Sequence, residues 1–127
     1  MTFPIPYEWA EQFALDWIAA WNGHDLDRIC SHYAADIEFT SPFVSSLTGN
    51  TDGTVLRLGA LRKYFGAALE RFPALEFKYM FACAGMRTVT IVYTSVNGLT
   101  AAETMELCAE GKVIRAFAQY SPVARSV

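Results

Sequence analysis

A change of period two-thirds of the way along the chain restricts its fold more than any single motif. Up to about residue 72 the apolar side chains recur at helical spacing, and from residue 75 onward they alternate. Three turn signals, Ala84-Gly85, Asn97-Gly98 and Glu110-Gly111, divide the alternating part into four strand-length runs. Links this short require antiparallel neighbours, so the four strands form a meander. Upstream, Trp9, Ala10, Phe13, Ala14, Trp17, Ala20 and Trp21 share one face of a helix over residues 6–22, which Asn22-Gly23 ends. Asp25 suits the N-cap of a second helix, on which Leu26, Ile29, Cys30 and Tyr33 fall together. Residues 37–41 read as a short strand stopped by Pro42, and residues 42–57 as a long binding loop or lid. Residues 59–72 form a third helix, closed by Pro73. The expected order is α-α-β-α-β-β-β-β. It describes a single α+β domain over 1–127, with three N-terminal helices packed on a curved, mainly antiparallel sheet.

Treating each signal as a two-residue turn assigns the sheet faces, because residues directly opposite in an antiparallel pair point the same way. Val96 then faces Leu99, Val92 faces both Glu103 and Phe77, Glu103 faces Ala118, Met105 faces Ala116, and Ala101 faces Tyr120. One nearly apolar face collects Leu75, Phe77, Tyr79, Phe81, Val92, Ala101, Glu103, Met105, Leu107, Ile114, Ala116, Ala118 and Tyr120, and belongs under the helices. The other mixes Glu76, Lys78, Val89, Ile91, Tyr93, Ala102, Thr104, Glu106, Arg115, Phe117 and Gln119. That mixture suits a partly solvated sheet or a homodimer interface better than a second core.

Glu103 is the one ionisable carboxylate on the apolar face. Burial removes hydration worth several kcal/mol and raises the carboxyl pKa, which is how enzymes hold an acid or base ready near neutrality. The functional reading is a general acid, general base or oxyanion donor, with the Tyr120 phenol assisting from one pair away. The structural alternative is a carboxylate bonded to a tryptophan N–H or to Tyr79, fixing a helix on the sheet. Nine Phe, six Tyr and three Trp are enough to line an apolar cavity as well as fill a core. Trp17, Tyr33 and Phe39 are the first candidates to touch a ligand, followed by Ser41, Phe43, Tyr64, Tyr79, Met105 and Ala118. His24 falls in the turn between the first two helices and His32 on the flank of the second, so both are expected at the surface or its boundary.

Several function classes drop out. Ten basic against thirteen acidic residues give a net charge of −3 with no basic run, so nucleic acid is not an expected partner. No apolar run approaches the ~18 residues of a membrane span. Cys30, Cys83 and Cys108 match neither a disulfide framework nor a CxxC pattern, and the first six residues lack signal-peptide character, so a cytoplasmic protein is expected. HExxH, GxSxG, GxGxxG and Walker spacings do not occur. Proton transfer needs only a positioned group and a dry cavity, so no cofactor or metal is implied.

The stretches Trp21-Asn22-Gly23-His24-Asp25-Leu26-Asp27-Arg28-Ile29, His32-Tyr33-Ala34-Ala35-Asp36 and Phe39-Thr40-Ser41-Pro42 carry a family likeness. Together with Gly59-Ala60-Leu61-Arg62-Lys63-Tyr64-Phe65 and Glu110-Gly111-Lys112-Val113-Ile114, the chain resembles the nuclear transport factor 2-like superfamily, in its SnoaL-like polyketide cyclase and ketosteroid isomerase branch. The resemblance implies a cone-shaped α+β fold, a deep pocket for an apolar or polycyclic metabolite, and a dimer. On the isomerase pattern, the proton-shuttling aspartate falls at Ser41, the helix-one tyrosine near Trp17, and the second oxyanion donor at Glu103. SnoaL-like cyclases commonly add a histidine on the sheet, a position that neither His24 nor His32 occupies. The implied activity is isomerisation or cyclisation by acid–base chemistry. The alternative is a non-catalytic ligand-binding or dimerisation module of the same fold.

Overall fold

The computed structural model describes residues 1–121. Four helices, α1 (Tyr7–Asn22), α2 (Leu26–Cys30), α3 (Pro42–Thr48) and α4 (Leu58–Arg71), accompany six strands. The strands are β1 (Tyr33–Thr40), β2 (Thr54–Leu56), β3 (Lys78–Ala84), β4 (Thr88–Thr94), β5 (Thr100–Leu107) and β6 (Val113–Ser121). They make one curved, open sheet in the order β2-β1-β6-β5-β4-β3. The expected meander is the β6-β5-β4-β3 half, and β1 adds to it parallel to β6.

Two elements correct the expected order. Residues 42–57 are not one loop but α3 and β2. The Ser41 hydroxyl accepts the Phe43 N–H at 3.2 Å, Pro42 opens the first turn, and Gly49 closes α3 at φ 76°. Tyr33 is not on α2 but opens β1. The helix stops at Cys30 because side chains take its last carbonyls: Ser31 Oγ donates to Arg28 O at 2.6 Å, and His32 Nδ1 sits 2.9 Å from the same oxygen. Asp25 does cap α2, accepting the Arg28 N–H at 3.1 Å.

The β5–β6 register is the expected one, with Glu103 opposite Ala118, Met105 opposite Ala116 and Ala101 opposite Tyr120. A bulge after Glu106 sets Leu107 against Val113, so Val113 rather than Ile114 is the buried residue.

On β4 the faces are reversed. Asn97 and Gly98 adopt positive φ (60° and 72°), and Leu99 N–H donates to Val96 O at 3.4 Å, as in the expected tight turn. However, Ser95 N–H also bonds Leu99 O at 2.7 Å, so the closing pair contains an extra residue and the ladder slips by one. Ile91, not Val92, opposes Glu103. Val89, Ile91 and Tyr93 are therefore inside, and Val92 outside. The β3–β4 link also closes later than expected, Gly85 pairing with Thr88, and a bulge between Tyr79 and Phe81 turns Phe81 outward, 48% exposed.

The core lies between α1, α4 and the inner sheet face. Asn22 fastens the end of α1 to the chain entering β3: its Nδ2 donates to Phe77 O at 2.9 Å, and its Oδ1 accepts Phe77 N–H at 2.7 Å. His24 Nε2 lies 2.9 Å from Leu75 O. His32 is buried rather than at the boundary, with Nε2 2.8 Å from Asp16 Oδ2.

Candidate functional site: a carboxyl at the base of an aromatic cavity

Alternation along β5 sends Ala101, Glu103, Met105 and Leu107 inward, and Glu103 is 3% exposed. One hydrogen bond holds it: the Tyr93 phenol, from the neighbouring strand β4, donates to Oε1 at 2.9 Å. Oε2 has no protein partner among the described residues. Burial drives the Glu103 carboxyl up to about 7, against the opposing pull of the Tyr93 hydrogen bond. Near neutrality its charged and uncharged forms are therefore comparably populated.

Glu103 borders a cavity of about 60 Å³, walled by Trp17 and Trp21 of α1, Tyr64 and Phe65 of α4, Phe39 and Ser41 at the end of β1, Phe43 of α3, and Phe77, Tyr93 and Tyr120. Half-buried Phe43, Tyr64, Phe72 and Val96 form its rim, and buried Trp17, Tyr93 and Glu103 its floor. The space holds about four waters. Tyr120 stacks on Phe43, with ring centroids 4.6 Å apart, and its phenol is raised by burial and then by Glu103, so it stays protonated. Tyr64 is pushed up to about 12 for the same two reasons, and the Ser41 hydroxyl beside both phenols pulls the other way.

Of the residues singled out from sequence, Glu103, Tyr120, Trp17, Phe39, Ser41, Phe43 and Tyr64 meet at this cavity. The other four do not border it. Tyr33 stands behind Trp17, its phenol oxygen accepting the indole N–H at 3.0 Å. Met105 is fully buried core, and Ala118, opposite Glu103, is packed without reaching the open space. Tyr79, on β3, lies near Tyr7 and Glu11 of α1 and away from the cavity lining. The partner of Glu103 is thus Tyr93, neither a tryptophan nor Tyr79. Sequence reasoning missed Tyr93 because the extra turn residue had placed it outside. It left Trp21 among the aromatics that could line a cavity or fill the core, and missed Phe65 and Phe77 as wall residues, because helical and strand periodicity cannot separate core from cavity lining.

A sheet of this order with helices over one face is the NTF2-like class of fold. The SnoaL-like domain family matches residues 14–116, and the chain belongs to that family. A SnoaL-like protein of unknown function from Burkholderia thailandensis superposes with a TM-score of 0.90 at 36% identity, covering 93% of this chain and 98% of its own. A structure from Kribbella flavida named "putative ketosteroid isomerase" has a TM-score of 0.69 at 13% identity, covering 95% and 84%. An NTF-2 like protein of unknown function from Burkholderia xenovorans has 0.69 at 19%, covering 95% and 90%. No curated protein matches the chain.

Proposed function

We propose that the chain binds a small, largely apolar metabolite in this cavity and moves a proton on it through Glu103, in a cofactor-free isomerisation or cyclisation. The observation that supports this reading is the half-satisfied carboxyl of a cavity-lining residue: Oε1 is held by Tyr93, while Oε2 makes no hydrogen bond among the described residues. A base that is half ionised near neutrality can take a proton from carbon beside a carbonyl and return it elsewhere. The Tyr120 phenol, held protonated, donates to the oxygen that gains charge. At about 60 Å³ the space favours a small ligand over a polycyclic one.

Proton NMR of small ketones in D2O tests this directly. Wild type exchanges their α-hydrogens, and Glu103→Gln slows exchange by about 100-fold or more. Wild-type exchange no faster than buffer removes the catalytic role. The Tyr93–Glu103 bond between neighbouring strands supports a second reading, in which Glu103 is structural and the chain is a non-catalytic binding or dimerisation module. In that case the Gln variant changes only affinity or stability. We also propose that the chain pairs with a second copy through its outer sheet face, where Phe81 and Phe117 are 48% and 44% exposed.

A further inference from the structure

In formal charge the cavity is one-sided. No Lys, Arg or His side chain lines it among the described residues. Its polar groups are the Glu103 carboxyl, which carries the negative charge, and the neutral phenols of Tyr64 and Tyr120 and hydroxyls of Ser41 and Ser95, each of which can accept or donate a hydrogen bond. The walls are ring faces, which carry negative potential. Neither indole N–H supplies a positive charge: Trp17 Nε1 is spent on Tyr33, and Trp21 Nε1, buried with no hydrogen-bond partner among the described residues, is a neutral donor. An anion entering such a space meets a carboxyl, π-faces and neutral O–H donors, and no cation among the described residues. A small cation with N–H donors meets acceptors, rings and the one carboxyl among the described lining residues.

We infer that the cavity is a binding site for a small organic ammonium ion, its N–H groups on the free oxygen of Glu103 and its alkyl part against the rings of Trp17 and Tyr93. A charge-assisted hydrogen bond to a desolvated carboxylate is stronger than a neutral one, and the ring faces bury the alkyl part. The size agrees, since about 60 Å³ takes a few heavy atoms. The inference names the ligand class for the site proposed above. It rests on that reading only in taking the cavity as a ligand site, not on turnover.

A ligand of three heavy atoms binds at millimolar strength at best, so the measurement is an NMR titration. Ethylammonium, ethanol and acetate are compared on wild type at constant ionic strength, reading the Trp17 and Trp21 indole resonances and the ligand methyl shift. The expected result is ethylammonium at least tenfold tighter than ethanol, acetate undetectable, and the ethyl methyl moved upfield by the rings. Glu103→Gln, its fold checked by near-UV circular dichroism, loses the ammonium preference tenfold and keeps ethanol within twofold. Ethanol matching ethylammonium on wild type overturns the inference whatever the variant does, as does acetate binding tightest. Ethylammonium binding equally to the Gln variant also overturns it. α-Hydrogen exchange without ammonium preference removes this ligand class and leaves proton transfer standing. Ammonium preference without exchange supports the class and removes the proton transfer.

Discussion

Glu103 ionises near 4.5 in an unfolded chain and near 7 in the folded one. Between those values the native state keeps a proton that the unfolded state has released, so raising the pH costs stability. The contribution is fully present below 4.5 and gone above 7, and a shift of this size amounts to about 3 kcal/mol. Urea unfolding of wild type and Glu103→Gln at several pH values checks the sign. The stability difference between them moves against wild type by about 3 kcal/mol from pH 4.5 to 7.5, and parallel profiles refute the burial argument. Comparison with the variant is needed because Asp16, lowered mainly by its hydrogen bond to Arg28, acts in the opposite sense: its contribution is lost as pH falls. The other buried polar candidate, His32, has Nδ1 facing the Arg28 and Ile29 carbonyls and Nε2 facing Asp16. With both ring nitrogens engaged, it is a clasp between α1 and the end of α2. The inward direction of Glu103 was legible because the β5–β6 turn alone determines it. Its partner was not, because Tyr93 depends on a different turn.

At the scale of elements, one residue in the Val96–Gly98 link decided which half of β4 reached the cavity. Sequence identifies that Asn97-Gly98 turns the chain, but the turn residues alone do not say whether the next pair closes at Val96 or Ser95; the alternation of β4 itself carries that signal, since Val89, Ile91 and Tyr93 are apolar and Thr88, Thr90 and Thr94 lie between and beside them. α3 was illegible for another reason: seven residues contribute too few apolar repeats to show a period, and its capping by Ser41 and Gly49 is local chemistry that also occurs in loops. By contrast α1, with seven buried positions, and α4 were plain. What locks α1 against the sheet is Asn22, whose amide makes a two-way, peptide-like pair with Phe77. Replacing it with alanine is expected to cost about 2 kcal/mol, near 1 per hydrogen bond. Denaturation of Asn22→Ala by guanidinium measures this, and a loss below about 0.5 kcal/mol means that the pair does not hold the helix.

For the molecule as a whole, the corrected β4 register moves Ile91 and Tyr93 from the outer sheet face into the core and leaves Val92 outside. The outer face is accordingly more polar than the sequence reading made it, with Thr90 and Thr104 sharing a hydrogen bond and Arg115 paired with Glu106. Its apolar area is now carried by Phe117 and by Phe81 beside the β3 bulge. Sedimentation equilibrium at micromolar concentration is expected to give a dimer, and Phe117→Asp a monomer with an unchanged circular dichroism spectrum. A monomeric wild type removes the pairing. Ser41 joins this scale to the cavity, because the same hydroxyl that starts α3 also borders the open space. Whatever guest competes for that oxygen slackens the first turn of the helix carrying Phe43, so filling the chamber and loosening its cover are mechanically one event, and the Phe43 amide is where solvent exchange would register it.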